Sequence, residues 1–344
     1  MNDRTNEAPP DPRAARTAPE LSEKVLDAYA RLWQLETWLR RMVYVELRAF
    51  RGDNWAASIE NQKIEEALKS DKRLTHMTTP EQDLLSYMQF SQLRRIVGEN
   101  RSLFEPYLPR KNQWEAKTEE VEHIRHRVAH FRSINEDDLR RVEQLLRDVD
   151  QGFWRFCTSF NDTRPVLPQT DDPVVAHFLS LDLLPWVEVE PKKWARVGHI
   201  DPGETFGMTV EALCRPWAKW SKPIAGSVGL LYDVTLYSRR SRYLDYTKLL
   251  PLTRELHPHF VYICLDHHAT DIRLTIPALL GTDRVIEILE RFLDRARSCI
   301  YPGEWPTYKG SVEQFAGSLP EFVLSPDNPL TFLSPDQPCS FFGV

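Results

Sequence analysis

The stretch VEHIRHRVAHFRSI, residues 121–134, combines three histidines with three arginines in a chain whose formal net charge is -6. Histidine exchanges a proton near neutral pH, and arginine holds phosphate through paired, charge-assisted hydrogen bonds. RNA carries its own nucleophile, the 2′-hydroxyl. A site that positions a phosphate, moves a proton and stabilises the added negative charge can therefore cleave RNA without a metal ion.

The spacing of this stretch predicts an amphipathic helix. At ~100° per residue, four apolar residues fall on one side and form a predicted core stripe: Val121, Ile124, Val128 and Phe131. His126 and His130 are four residues apart and share another face, which points away from that stripe. Arg125 flanks the stripe on the side nearer His126. We therefore expect the two histidines to meet solvent or another molecule, and not the core.

Arginine followed by histidine five positions later is weakly specific by itself, because short spacings recur by chance. The chain repeats it in RELHPH, from Arg254 to His259. There Pro258 interrupts a helix, and the segment leads into a predicted strand. Only the pair Arg125 and His130 lies on an amphipathic helix, which favours that pair as the candidate site.

The first half of the chain has helical periodicity almost throughout. A long helix is predicted over 21–50, with Gly52 as its stop, and a shorter one over 58–68. Thr79 is a predicted cap for a helix that runs to about Gly98. The histidine-rich helix begins near Asn112, and the last one spans about 136–160, with Asn135 or Ser133 as its cap. Short loops between these helices indicate a compact bundle.

The pattern changes at 161–174, where three prolines and several polar residues predict a linker. Segments 228–238, 259–265 and 271–277 are rich in β-branched and aromatic residues and predict strands, the last two paired. Residues 283–300 predict an amphipathic helix. The predicted fold is α+β overall: a lead-in over 1–19 without fixed structure, an all-α bundle over 20–160, the linker, a smaller mixed α+β domain over 175–300, and a proline-rich irregular tail over 301–344.

The net charge, the cysteine spacing and the absence of certain motifs argue against several classes of protein function. The acidic balance excludes recruitment of nucleic acid by a global positive field, so any such contact needs a local patch. Five widely spaced cysteines without a CxxC pair argue against a disulfide scaffold and a zinc site. No Gly-rich phosphate loop is present, which disfavours an ATPase or a Rossmann enzyme. We expect no signal peptide, no membrane span and a cytoplasmic location.

The segment IRHRVAHFRSINEDDLRRV resembles the signature of the HEPN superfamily, in which an arginine and a polar residue are followed, after three further residues, by histidine. Here Arg125 and His130 take the fixed positions, and His126 stands where asparagine is more common. QLETWLRRMVYVEL followed by GDNW also resembles the first long helix of many members, with Glu36 and Arg40 one turn apart. The resemblance covers about residues 20–160, and the C-terminal domain resembles no family in this way.

The resemblance implies a metal-independent endoribonuclease that needs no cofactor and forms a homodimer, with one composite site between two motif helices. Arg125 is then expected to bind the scissile phosphate, His130 to act as acid or base, and His126 to assist. Arg127 and Arg132 are expected to bind flanking phosphates, with Glu36 and Arg40 in support. The family also implies a toxin–antitoxin or phage-defence setting, with an antitoxin or regulatory protein as a possible partner.

Two other interpretations stay open. The first is a catalytically inactive HEPN module that scaffolds an RNA or protein complex. The second places metal-dependent phosphoesterase chemistry in the C-terminal domain around DHHATD, at Asp266, His267 and His268. A polar turn between two strands explains that motif more simply. Four tryptophans of the first half are predicted to lie in the bundle core: Trp33, Trp38, Trp55 and Trp114.

Overall fold

The computed structural model describes residues 23–59, 62–74, 76, 84–162, 171–191, 193–198 and 203–344. The predicted lead-in over 1–19 lies outside these residues. So do the predicted cap at Thr79 and most of the predicted linker.

The N-terminal half is helical, as expected. Its helices are α1 (Glu23–Arg51), α2 (Gln62–Arg73), α3 (Phe90–Glu99), α4 (Arg101–Phe104), α5 (Lys111–Ala129) and α6 (Glu136–Asn161). None of the helices in the described ranges is both long and apolar enough to cross a membrane.

Local sequence signals set several of these boundaries. Helix α1 ends as predicted at Gly52, whose φ of 58° is the left-handed conformation that glycine adopts without strain. Asn135 caps α6 as predicted, because its side chain accepts a hydrogen bond from the Asp138 amide. Helix α3 differs from the prediction: residues 84–87 form a separate 3-10 turn, and the helix begins only at Phe90.

Helix α1 forms the centre of the bundle and packs against α3, α5 and α6. Its buried side recurs at helical spacing, with Leu32, Leu35, Leu39 and Met42 at 5% exposure or less. Trp114 of α5 is buried in the same core, whereas Trp33 is 59% exposed. The prediction that all four tryptophans lie in the core is therefore wrong for Trp33.

The C-terminal half combines strands and helices, which gives the chain its α+β class. Its elements are α7 (Pro173–Phe178), β1 (Trp186–Glu190), β2 (Lys193–Arg196), β3 (Phe206–Cys214), β4 (Leu230–Ser238), β5 (Arg242–Leu244), α8 (Tyr246–Leu252), β6 (Tyr262–Leu265), β7 (Asp271–Pro277), α9 (Thr282–Ser298), β8 (Ile300–Pro302), α10 (Val312–Ala316), β9 (Val323–Leu324) and α11 (Pro329–Phe332).

Five of the strands form one sheet in the order β3-β4-β7-β6-β9. The predicted pairing of 259–265 with 271–277 is confirmed, since β6 and β7 are antiparallel neighbours. Side chains alternate between the two faces of a strand. Tyr262 and Cys264 therefore join the core of the helical bundle, whereas Ile263 and Leu265 join a second core with α8 and α9. The sheet is therefore the middle of three layers, with the helical bundle on one face and α8 and α9 on the other.

The segment 301–344 is not the irregular tail that its prolines predicted. Strand β9 extends the central sheet by pairing in parallel with β6. Farther on, Phe342 is buried and its ring lies 5.1 Å from that of Phe153 on α6. The Arg31 guanidinium donates to the Phe342 carbonyl at 2.9 Å. Phe342 and its partly buried neighbour Phe341 thus complete the bundle core.

A buried ion pair joins the bundle to the sheet. The Arg215 side chain, which follows β3, donates to the Glu46 carboxylate of α1 at 2.7 Å, and both side chains are fully buried. Tyr107 and Trp217 contact the same pair at 2.8 Å and 2.6 Å. Burial opposes the charge of Arg215, but the Glu46 carboxylate outweighs it and raises the arginine pKa above its usual value.

Candidate active site at the end of helix α5

The two motif histidines meet at the exposed C-terminal end of α5. The helix ends at Ala129, and the His130 amide still donates to the His126 carbonyl at 3.2 Å. The two imidazole rings lie 4.4 Å apart between centroids at an angle of 65°. The side chains of His126 and His130 are both exposed. The predicted outward face of the helix therefore holds two groups that can exchange protons side by side.

Arg125 is held by the Glu36 carboxylate of α1. Its Nε donates to the Glu36 carboxylate at 2.6 Å, and Arg40 donates to the other oxygen of the same carboxylate at 3.0 Å. Glu36 is only 8% exposed, so one nearly buried carboxylate orients two guanidinium groups. The fold thus brings the middle of α1 against the histidine-rich end of α5.

The Arg125 guanidinium keeps an open edge. Among the described residues, its terminal nitrogens make no hydrogen bond, and its side chain is 32% exposed. A guanidinium held through Nε still presents two terminal nitrogens to an anion. Arg125 can therefore bind a phosphate oxygen without giving up the contact that orients it.

Arg127, which was predicted to contact flanking phosphate, forms an ion pair within the fold. Its two terminal nitrogens donate to the two carboxylate oxygens of Asp138, each at 2.9 Å. Asp138 also closes the cap of α6 by accepting the Asn135 amide at 3.0 Å. Arg127 therefore fixes the loop between α5 and α6. Arg132 lies in that loop with an exposed side chain and no ion pair among the described residues.

Phe131 is not part of the core stripe in which the helical wheel placed it. The helix ends two residues earlier, and Phe131 adopts a φ of 55° that turns the chain. Its side chain is 95% exposed. Left-handed backbone is uncommon for a bulky residue, so this loop presents a large aromatic ring directly beside His130.

An exposed apolar stripe on α1 lies on the helix face that carries Glu36. Leu26, Tyr29 and Trp33 are 50%, 60% and 59% exposed. At ~100° per residue these three residues share one helix face with Glu36 and Arg40. The stripe and the carboxylate that holds Arg125 are consecutive parts of one surface.

The DHHATD motif forms a turn between β6 and β7. One carboxylate oxygen of Asp266 accepts the amides of His268 and Thr270, at 2.9 Å and 3.1 Å, so this aspartate stabilises the turn. The nearby side chains of His267, Glu313 and Asp327 bring one ligand atom each within 4.8 Å of one another. These three residues, and not the predicted Asp266 and His268, are the ones that could hold a cation there.

The second arginine–histidine spacing, Arg254 to His259, does not build a comparable site. It lies in a 3-10 turn, and His259 contacts the Asp53 carboxylate at 2.7 Å. The His257 ring shares a hydrogen bond of 3.0 Å with the Thr253 hydroxyl, and burial together with Arg254 lowers its pKa to about 4. Both histidines are engaged within the fold.

Sequence reasoning missed a basic cavity in the C-terminal half. It has a volume of about 640 Å³, and Arg239, Arg240 and Arg242 lie in its wall. The dense run SRRSR was the signal for it. The run stands next to a strand of the central sheet, but the residues opposite are distant in sequence.

No protein family matches the chain, and no match is found among curated proteins or among solved structures. A function for this chain has to be argued from the geometry of its own residues.

Proposed function

We propose that the protein is a metal-independent endoribonuclease of HEPN type, with Arg125, His126 and His130 at its active site. The observation that carries the proposal is the Arg125 guanidinium, oriented by Glu36 and open on its other edge, on the same helix end as two adjacent imidazoles. These groups match what RNA cleavage requires: a cation for phosphate and groups that move protons.

The reaction begins when a base removes the proton of the 2′-hydroxyl, whose oxygen attacks the neighbouring phosphorus. The bond from phosphorus to the 5′-oxygen breaks, and an acid supplies the proton that this leaving oxygen needs. The products are a 2′,3′-cyclic phosphate and a 5′-hydroxyl. Arg125 stabilises the extra charge on the phosphorane oxygens, and His130 exchanges one of the two protons. His126 orients His130 or exchanges the other proton.

The proposal includes a second copy of the chain. Leu26, Tyr29 and Trp33 are exposed apolar residues on the helix face that carries Glu36, and Phe131 is exposed beside His130. Large exposed apolar patches are typical of interaction surfaces. A two-fold axis near Phe131 would bring two motif helices together, so that one copy supplies the acid and the other the base. We place the activity in the cytoplasm, in accordance with free thiols at all five cysteines.

The test is an RNA cleavage assay with purified full-length protein in EDTA, comparing the wild type with His130→Ala. We expect wild-type cleavage that leaves 2′,3′-cyclic phosphate ends, and a loss of about 100-fold or more in the variant. Equal cleavage by both proteins contradicts the proposal. Cleavage that appears only when a divalent cation is restored contradicts it too, and favours the residues around His267.

A further inference from the structure

The basic cavity in the C-terminal half is separate from the histidine site and is formed by the end of β4, the turn after it and the loop after β8. Its wall combines basic and aromatic side chains: Arg239, Arg240, Arg242, His267, His268 and Trp305. A volume of about 640 Å³ lies within the range of pockets that enclose small organic ligands.

A tight turn brings the three arginines to one place. Arg240 and Ser241 have φ values of 62° and 51°, in the left-handed region that glycine occupies without strain. The Ser241 carbonyl accepts the Gly303 amide at 2.7 Å, which ties the turn to the loop after β8. A strained backbone that carries an arginine where glycine would fit more easily is a pattern typical of functional sites.

The positive charge of the cavity is not neutralised within the described part of the fold. Among the described residues, no ion pair involves Arg239, Arg240 or Arg242, whereas most other arginines of the sheet half have an acidic partner. Glu304 is the acidic residue in the wall. Glu313 and Asp327 lie behind the wall and contact His267. Among the lining residues themselves, three guanidinium groups stand against one carboxylate, and this excess of positive charge suits an anion.

The opposite wall is rigid and aromatic. The Trp305 indole donates to the Gly310 carbonyl at 2.9 Å, and its ring lies 5.5 Å from Tyr246 and 5.8 Å from Phe315. The Thr307 side chain, which bears a hydroxyl, also lines the cavity. A half-buried indole held in this way, with the Lys309 ammonium 5.2 Å from its ring centre, places an aromatic ring in the wall beside the arginines, which fits the flat ring of a nucleobase.

We propose that this cavity is a binding site for a small phosphorylated ligand of the size of a nucleoside monophosphate. The three arginines hold the phosphate, and the wall around Trp305 holds the base. The site lies on the β4–β5 turn of the sheet half. The proposal does not depend on RNA cleavage at the α5 site.

The test is titration calorimetry of the full-length protein with AMP as the probe and adenosine as its phosphate-free counterpart. The variant is Arg239→Gln/Arg242→Gln, and the matched control is Arg95→Gln/Arg140→Gln, two exposed arginines of the helical bundle. Far-UV circular dichroism and the melting temperature confirm that all three proteins are folded. A charge-assisted contact contributes about tenfold in affinity or more, so we expect the site variant to bind AMP roughly 100-fold more weakly.

The proposal is supported if AMP binds at one site per chain, inorganic phosphate competes with it, adenosine binds at least about tenfold more weakly than AMP, and the control variant binds like the wild type. It is overturned if AMP does not bind, if adenosine binds as tightly, or if the site variant retains wild-type affinity. In the wild type, added NaCl should weaken AMP binding, and salt-independent binding also overturns the proposal.

Discussion

Helix α1 holds an arginine from elsewhere in the chain at two places, ten residues apart, and the two places differ in what surrounds them. Glu46 and Arg215 are fully buried, and the pair is also hydrogen-bonded to Tyr107 and Trp217. Glu36 holds Arg125 at the edge of the bundle, where the arginine side chain is 32% exposed. The same ion-pair chemistry joins two layers in one case and leaves a cation open to a ligand in the other.

The difference follows from position along the helix. Ten residues correspond to about 15 Å along α1, so Glu36 near the middle of the helix and Glu46 near its C-terminal end contact different neighbours. Near Glu46 the sheet covers the bundle. Near Glu36 the apolar stripe of Leu26, Tyr29 and Trp33 is uncovered. Exposure, and not the type of contact, is what distinguishes a structural pair from a candidate site.

The largest expected effect is on the buried pair. Glu46→Gln leaves the Arg215 charge without its partner in a site that excludes water, which should lower the free energy of unfolding by about 3–5 kcal/mol. Chemical denaturation followed by circular dichroism measures this. A loss of under about 1 kcal/mol would show that the pair does not hold the two layers together.

The apolar stripe is expected to give the next largest effect. Trp33→Glu puts a charge in the proposed dimer surface and should weaken self-association by about tenfold or more, with a parallel loss of RNA cleavage. Sedimentation velocity over a concentration series measures the association. Trp220→Glu is the matched control, because Trp220 is an exposed tryptophan of the sheet half. If both variants associate like the wild type, the stripe is not the interface.

A buried histidine should make the protein sensitive to acid. The pKa of His257 is about 4 in the folded protein, below its usual value of 6.5. The unfolded chain therefore binds the proton more readily between these values, so the stabilisation is present above pH 6.5 and is lost as the pH falls toward 4.

We expect His257→Gln to lose less stability than the wild type over this interval, by on the order of 2 kcal/mol, in denaturation curves recorded from about pH 7 to about pH 4. His177→Gln, at an exposed histidine, is the control and should follow the wild type. Identical pH profiles for all three proteins would contradict the assignment.

The smallest change in stability is expected for Glu36→Gln, and this variant tests the contrast between the Glu36 and Glu46 ion pairs most sharply. Glu36→Gln keeps the shape of the side chain and removes the charge of a nearly buried carboxylate whose two arginine partners are partly exposed, so the free energy of unfolding should change by about 1 kcal/mol. RNA cleavage should nevertheless fall, since Arg125 loses the contact that orients it. A variant that keeps full activity would show that Glu36 does not position Arg125 for the reaction.

Much of the helical half could be predicted from local signals. Gly52 ends α1 and Asn135 caps α6, as their residue types indicate. The outward direction of His126 and His130 also followed from spacing alone. These features depend on residues within one or two turns of one another, and a helical wheel contains that information.

What could not be predicted depends on contacts between distant segments. No residue near Phe342 in the sequence indicates that it packs against Phe153. The prolines in this segment instead predicted an irregular tail. Strand β3 was not predicted, because Gly207 and Glu211 interrupt its apolar pattern. The ion pair between Arg127 and Asp138 was not predicted, because Asp138 lies across a turn whose geometry the spacing does not reveal.

The most direct test of the proposed active site is the RNA cleavage rate of Arg125→Lys. Lysine keeps the positive charge but cannot both contact Glu36 and bind phosphate with two nitrogens. The control is Arg141→Lys, since Arg141 forms an exposed pair with Glu120 at 3.0 Å in the same bundle. We predict a loss of about 100-fold or more in Arg125→Lys, with an unchanged melting temperature and a fully active control. Equal rates for the wild type and Arg125→Lys would contradict the role of Arg125 in cleavage.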